Sequence, residues 1–142
     1  MKKCSDIMTK DLIYGLPNDT VTRVAQLMKK EDIGPVPIVD NEQSKMPIGI
    51  ITDRDLALKV VGEGRDPNTT RVEEVMTRKL VTCRADDNVE NAMKAMAQYQ
   101  LRRIPVVDSS GRLVGIIAQA DVATRVDQPK KTAEIVKEIS QA

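Results

Sequence analysis

The sequence contains no histidine, no tryptophan and no phenylalanine. The absence of histidine excludes histidine-based catalysis and histidine ligation of a metal. Tyr14 and Tyr99 are the only aromatic residues, which is too few for the stacking surfaces that bind single-stranded nucleic acids. The core must therefore be built from aliphatic side chains and methionine.

Charge and length exclude further classes of protein. The chain has 142 residues, and its 22 basic and 21 acidic side chains give a formal net charge of +1. This length suits one compact domain, and the charge disfavours a nucleic-acid binder with a strongly basic face. Apolar runs are far too short for a membrane span, and no apolar segment follows the N-terminal lysines. We therefore expect a cytoplasmic protein.

Cysteine is also scarce. Cys4 and Cys83 lie far apart in the sequence and form neither a C-x-x-C motif nor a four-ligand zinc pattern. We therefore expect reduced thiols and no bound metal. Cys83 is predicted to be a small buried thiol, and Cys4 to be exposed near the terminus.

What the sequence does contain is one unit repeated twice. The pair M-T at 8–9 recurs at 76–77, and GIITDRDLA at 49–57 matches GIIAQADVA at 115–123. Such a repeat implies two similar structural units that share an interface, because each half is too short to bury much surface alone. The predicted divisions are a first repeat at 1–61, a connecting loop at 62–70, a second repeat at 71–127 and a C-terminal amphipathic helix at 128–142.

Periodicity predicts the same elements in each repeat. Apolar residues recur with helical spacing at Val21, Val24, Ala25 and Met28, and again at Val89, Ala92, Met93 and Met96. Short β-branched runs follow each helix and predict a hairpin of two buried strands, after which a second helix begins with acidic residues. Asp87 with Glu90 offers a capping box for the helix of the second repeat. Each repeat is therefore predicted to be β-α-β-β-α.

These motifs resemble a known family. The segments G-I-I-T-D-R-D at 49–55 and G-I-I-A-Q-A-D at 115–121, preceded by V-P-I-V-D and I-P-V-V-D, are similar to a pair of cystathionine-beta-synthase domains, or CBS domains. The resemblance covers roughly 4–127, and the G-x-D-P-N-T loop that follows T-D-R-D is similar to that of small stand-alone members. It implies an α/β fold in which two repeats pack through their sheets with pseudo-twofold symmetry, a Bateman-type module. It also implies two clefts for adenosine-containing ligands such as AMP, ADP, ATP or S-adenosylmethionine, and a homodimer.

The resemblance assigns roles to polar residues of both repeats. Asp55 would bind the ribose hydroxyls and Thr52 a ribose or phosphate oxygen, unless Asp53 and Asp55 serve only to cap the helix. In the second repeat Asp121 is kept, but Ala118 stands where the motif has threonine. This second site is therefore expected to be weak or empty, with helix capping as the alternative role of Asp121.

Further candidates would complete a nucleotide site. Arg102 and Arg103 stand where phosphate-binding members carry a basic pair, and the planar guanidinium suits a phosphate, although an exposed charged pair is often only solvated surface. Apolar residues that would line the base slots, or else only pack in the core, are Ile13, Tyr14, Val36 and Pro37 in the first repeat and Val81, Thr82, Ile104 and Pro105 in the second.

The resulting hypothesis is a non-catalytic regulatory module that binds an adenosine-containing ligand and acts as a sensor. The alternative is a ligand-free structural or dimerisation module that docks a partner protein. No phosphate-binding loop, dinucleotide-binding glycine motif or catalytic cluster is present, so we expect no enzyme activity, no catalytic residue and no cofactor. We expect no nucleic-acid or membrane partner; a separate protein would then transmit the signal.

Overall fold

The fold was analysed in a computed structural model that describes residues 2–125 together with Lys137 and Ile139. The chain divides into two compact units, one made of Met1–Leu12 with Val81–Ala142 and the other of Ile13–Leu80. The predicted C-terminal helix at 128–142 lies outside the described residues, except that Lys137 and Ile139 are helical and Ile139 is buried. The units therefore divide the chain differently from the sequence repeats.

The described residues form a mixed α/β protein, as predicted. In chain order its elements are α1 (Cys4–Ile7), α2 (Val21–Glu31), β1 (Val36–Val39), β2 (Pro47–Ile51), α3 (Asp53–Asp55), a π-helix (Leu56–Val61), a 3-10 helix (Val72–Glu74), β3 (Cys83–Arg84), α4 (Val89–Tyr99), β4 (Arg103–Val107), β5 (Leu113–Ala118) and α5 (Gln119–Arg125).

The long helix of each repeat forms where periodicity predicted it. Helix α2 begins after Thr20, whose hydroxyl accepts the Arg23 N–H at 3.2 Å, and α2 buries Val21, Val24 and Met28. It ends at Asp32, which takes the left-handed conformation with φ of 54° that commonly stops a helix.

The capping box predicted for α4 is wrong. The residue that precedes this helix is Asn88, not Asp87, and its side chain makes no capping bond. Asp87 lies one position too early, and its Oδ1 accepts the Asn88 N–H at 2.9 Å and the Asn91 amide at 2.8 Å. The helix still forms because its apolar face, Val89, Ala92, Met93 and Met96, is buried.

Each unit contains one of the predicted hairpins. Strands β1 and β2 pair antiparallel, and so do β4 and β5. In the unit that contains the second hairpin, β3 adds a parallel strand to β4, which completes the predicted order. In the other unit the predicted leading strand is reduced to Gly15, which donates to the Pro37 carbonyl at 2.9 Å and accepts from Val39 N–H at 3.0 Å.

The short M-T segment of each repeat pairs with the G-I-I strand of the other. Thr9 and Ile116 exchange two backbone hydrogen bonds, of 2.8 and 3.0 Å. Thr77 and Ile50 exchange two more, both of 2.8 Å. Each compact unit therefore contains one M-T segment paired with one G-I-I strand, and this explains why both motifs occur twice in the sequence.

The glycine of each G-I-I motif makes this pairing possible. A Cβ atom on Gly115 would lie 2.5 Å from the Met8 sulfur and 3.0 Å from the Thr9 carbonyl oxygen. A Cβ atom on Gly49 would lie 2.8 Å from the Met76 sulfur. All three distances are shorter than van der Waals contact, so only glycine lets the segment approach so closely.

Both cores are aliphatic, as the composition requires. The largest fully buried side chains are isoleucine, methionine and valine. Cys4 contradicts the expectation of an exposed terminal thiol, because α1 packs it into the core of its unit with none of its surface exposed. Cys83 is buried, as predicted.

Replacing Gly49 or Gly115 with alanine should lower the free energy of unfolding by roughly 1–3 kcal/mol, because the added methyl overpacks the paired M-T segment. Urea denaturation of each variant measures the loss. Gly34→Ala is the matched control, since the atoms nearest to its Cβ are those of the Asp53 carboxylate, the closest at 3.1 Å, and that side chain can move. Equal losses in all three variants would contradict this explanation.

Candidate functional site

The first predicted polar pair lies at the corner where β2 passes into α3. The Thr52 hydroxyl accepts the Asp55 N–H at 3.1 Å, and Asp55 Oδ2 accepts the Thr52 N–H at 3.0 Å. This reciprocal arrangement is a capping box, which satisfies two donors that would otherwise be left unpaired. Both residues therefore cap the helix, which was the alternative role considered for Asp55.

The second oxygen of Asp55 has a partner that the sequence analysis did not select. Lys59 Nζ lies 3.3 Å from Asp55 Oδ1 and also donates to the Val75 carbonyl at 3.1 Å. The Asp55 side chain is only 14% exposed, so the ammonium group offsets part of the cost of burying its charge. The sequence could have suggested this ion pair, because Lys59 lies four residues after Asp55 and side chains at that spacing are neighbours on a helix.

The helix that follows this corner is unusual. After the short α3 the chain continues as the π-helix, in which the Gly62 N–H donates to the Ala57 carbonyl, five residues earlier, at 2.8 Å. π-Helical turns are rare and occur frequently at functional sites. Leu58 and Val61 on this helix are 56% and 77% exposed, which is high for large apolar side chains.

The apolar candidates of the same unit differ in exposure. Val36 and Pro37 are buried in β1, whereas Ile13 and Tyr14 are half-buried in the segment that leads to Gly15. Tyr14 lines an open cleft of about 380 Å³ with residues of the segment after it and of α2, among them Leu16, Asp19, Arg23 and Leu27. Thr52 and Asp55 do not line this cleft.

The corresponding corner of the other unit lies between β5 and α5. Asp121 Oδ2 accepts the Ala118 N–H at 2.8 Å, as Asp55 accepts from Thr52 in the first corner. Ala118 has no hydroxyl to accept a hydrogen bond in return, so half of the capping box is missing. The second corner thus has the carboxylate of the first but lacks the threonine hydroxyl.

The arginine pair lies beside this second corner. Arg103 begins β4 and is paired in register with Ala118, and the Arg102 carbonyl accepts the Gln119 N–H at 2.8 Å. Arg102 is exposed and Arg103 is half-buried. The unit therefore brings both arginines next to the corner that holds Asp121.

The apolar candidates here also differ in exposure. Ile104 and Pro105 are buried in β4, while Val81 is half-buried and Thr82 exposed just before β3. Thr52 and Asp55 belong to the other unit, so their joint use with the arginine pair in one cleft stays a prediction.

Two negative findings concern only the described part of the chain. Within it, no group of three or more cysteine, aspartate or glutamate side chains is arranged to hold a metal ion. No helix among these residues is long and apolar enough to cross a membrane.

Fold and corners together define an α/β repeat protein in which an acidic side chain accepts a hydrogen bond at each strand-to-helix corner. The family model of the CBS domain matches residues 4–62 and 72–127. The chain belongs to the CBS domain family and contains two such domains, which confirms the resemblance found in its motifs.

Relatives of known sequence support the same assignment. The CBS domain-containing protein YhcV of Bacillus subtilis is 41% identical over 123 residues, which cover 87% of this chain and 84% of YhcV. An uncharacterised protein of Methanopyrus kandleri is 38% identical over 117 residues, and the aligned region is 82% of this chain but only 59% of that relative.

Two solved structures are similar over nearly their whole length. Hypoxic Response Protein I, crystallised with two coordinated zinc ions, has a TM-score of 0.79 and 32% identity and covers 88% of this chain and 99% of its own. The CBS domain pair of protein MJ0100, in complex with 5′-methylthioadenosine and S-adenosyl-L-methionine, has a TM-score of 0.72 and 31% identity. It covers 86% of this chain and 97% of its own.

The difference between the two corners can be tested by exchanging their residues. Thr52→Ala should lower the free energy of unfolding by about 1 kcal/mol, because the Asp55 N–H loses its capping acceptor. Ala118→Thr should raise it by up to about 1 kcal/mol, because the new hydroxyl completes the second box. Thermal and urea unfolding measure both changes. If Thr52→Ala left stability unchanged, the capping role would be wrong.

Proposed function

We propose that this protein is a non-catalytic regulatory module that binds an adenosine-containing small molecule and changes conformational stability when it does so. The observation that carries the proposal is the corner at Thr52 and Asp55, where a largely buried carboxylate and a hydroxyl are held together by two hydrogen bonds. The complex of the related MJ0100 domain pair with two adenosine derivatives supports this choice of ligand class.

The hydrogen bonds of the corner leave capacity for a ribose. Each oxygen of a carboxylate can accept two hydrogen bonds, and one partner is known for each oxygen of Asp55, the Thr52 N–H and the Lys59 ammonium group. A vicinal diol can therefore donate one hydrogen bond to each oxygen. The Thr52 oxygen accepts the Asp55 N–H, which leaves its own hydroxyl proton to donate to a ribose or phosphate oxygen.

The second corner would bind more weakly. Asp121 offers a carboxylate, but Ala118 offers no hydroxyl, so a bound ribose would make one hydrogen bond fewer. Arg102 and Arg103 add positive charge next to this corner and suit a ligand that carries phosphate. This unit would therefore bind a nucleotide more tightly than an adenosine derivative without phosphate.

Exposure distinguishes the residues that could contact the base. Ile13 and Tyr14, and likewise Val81 and Thr82, keep exposed surface that an adenine ring could cover. Val36, Pro37, Ile104 and Pro105 are buried and would support these residues from within the sheets. The base would thus be held chiefly by the segments that precede Gly15 and β3.

A regulatory effect requires that the ligand bind one conformation more tightly than another. Lys59 connects Asp55 to the Val75 carbonyl, so a ribose that binds Asp55 beside Lys59 would alter this link to the 3-10 helix region. We propose that the signal passes through such a change to a second copy or a separate protein. A cytoplasmic location stays a prediction of the sequence.

One observation favours the alternative of a structural or dimerisation module. Both carboxylates already cap helices, and Leu58 and Val61 expose apolar surface that a second copy could cover. In that case the corners would contribute only stability. The two functions differ in whether any adenosine derivative binds.

Calorimetric titration with AMP, ADP, ATP, NAD, 5′-methylthioadenosine and S-adenosylmethionine should show saturable binding of at least one of them. Asp55→Asn should weaken that binding by roughly 10- to 100-fold, because a charge-assisted hydrogen bond to the ribose is lost while the amide oxygen can still cap the helix.

Asp53→Asn is the matched control, since Asp53 is exposed, lies on the same turn and takes no part in the capping box. It should bind like the wild type. Flat titrations with folded protein, together with a smaller oligomer in Leu58→Glu or Val61→Glu, would replace the proposal with the structural alternative.

A further inference from the structure

The two cysteines of the chain, 79 positions apart, meet in one core. Both belong to the hydrophobic cluster of the unit formed by Met1–Leu12 with Val81–Ala142, where Cys4 is fully buried and Cys83 is 8% exposed. Neither is in a disulfide. Since the sequence has no other cysteine, each thiol has the other as its one possible partner within the chain.

Backbone hydrogen bonds bring the segment that carries Cys4 next to the residues that follow the strand of Cys83. The Cys4 N–H donates to the Asp87 carbonyl and the Ser5 N–H to the Ala85 carbonyl, both at 2.9 Å. These bonds hold the start of α1 against the residues that directly follow β3, which begins at Cys83. The register is thus fixed by the backbone and does not depend on the side chains.

The sulfur atoms interact with one another and with nearby carbonyl groups. Each thiol shifts the pKa of the other, and both side chains belong to the same core cluster. Cys4 Sγ also lies 3.8 Å from the Asn88 carbonyl oxygen, and Cys83 Sγ lies 3.9 Å from that of Pro105. Within this one core, Cys4 Sγ faces the residue that precedes α4, and Cys83 Sγ faces β4.

The two thiols differ in acidity. The hydrogen bond from Cys83 lowers the pKa of Cys4. The hydrogen bond to Cys4, together with burial, raises the pKa of Cys83. Cys4 lies on the short helix α1 and has the lowered pKa, so we assign it the role of the attacking thiol.

We propose that Cys4 and Cys83 form a reversible disulfide by exchange with a low-molecular-weight disulfide such as oxidised glutathione. This assignment does not depend on the proposed ligand. It makes the buried pair a redox site that joins the N-terminal segment to β3.

The exchange takes two steps. The Cys4 thiolate attacks one sulfur of glutathione disulfide, which forms a mixed disulfide and expels one glutathione thiolate. Cys83 then gives up its proton, attacks the Cys4 sulfur and expels the second glutathione thiolate. Two electrons pass from the protein thiols to the reagent, and two molecules of reduced glutathione leave.

The reagent reaches the thiols when the N-terminal segment opens. Helix α1 has only four residues, and so short an element can open locally without unfolding of the whole unit. Once formed, the disulfide would prevent that opening. It would also hold Thr9 near Ile116, because Thr9 lies two residues after the end of α1.

The test uses the full chain, equilibrated with mixtures of oxidised and reduced glutathione and then alkylated after unfolding. Oxidising mixtures should yield a monomeric product that has lost two hydrogens and takes up no alkylating reagent. The melting temperature should rise by on the order of 10 °C, because the bond closes a long loop in the unfolded chain. Dithiothreitol should reverse both changes.

Cys4→Ala and Cys83→Ala are the controls, each keeping one thiol and a small apolar side chain in the core. Neither should gain stability in oxidising mixtures. If a control does not fold, the wild-type mass and alkylation still decide the question. Two alkylatable thiols, glutathione adducts alone, or a disulfide between two chains would each overturn the proposal.

Discussion

The close backbone pairing between an M-T segment and a G-I-I strand is the constraint on which the rest of this structure depends. Each pairing consists of two hydrogen bonds, Thr9 with Ile116 and Thr77 with Ile50. A side chain on Gly115 or Gly49 would prevent the approach. Each pairing joins a residue of the first repeat to a residue of the second. Each compact unit is therefore built from segments of both repeats, and neither repeat can form such a unit from its own residues alone.

Beside this pairing, the strand that accepts the M-T segment runs directly into the candidate site. Thr52 lies two residues after Ile50 in the first repeat. Asp121 lies five residues after Ile116 in the second. Asp55 and Asp121 both accept a backbone hydrogen bond at the start of the next helix, so the fold itself holds these carboxylates in place. A ligand that used them would draw on groups whose positions are already fixed, which reduces the entropy lost on binding.

The fold could be predicted further than the site. Helical spacing identified α2 and α4, and alternation with turn residues identified both hairpins, because these patterns follow from which side chains must be buried. The pairing of each M-T segment with the strand of the other repeat was not predictable. Matching motifs show that two segments are alike, but they do not show which strand each segment contacts. For the same reason, the sequence could not reveal that Cys4 lies beside Cys83. The spacing of four residues could have suggested the ion pair of Lys59 with Asp55, but the hydrogen bond from Lys59 to the distant Val75 carbonyl could not be predicted from it.

The central claim is that the corner at Thr52 and Asp55 binds the ribose of an adenosine derivative. A crystal structure of the protein with the tightest-binding adenosine derivative tests it most directly. The claim predicts both ribose hydroxyls within hydrogen-bonding distance of the Asp55 carboxylate. A bound adenosine found elsewhere, with Asp55 still contacting only Thr52 and Lys59, would contradict it.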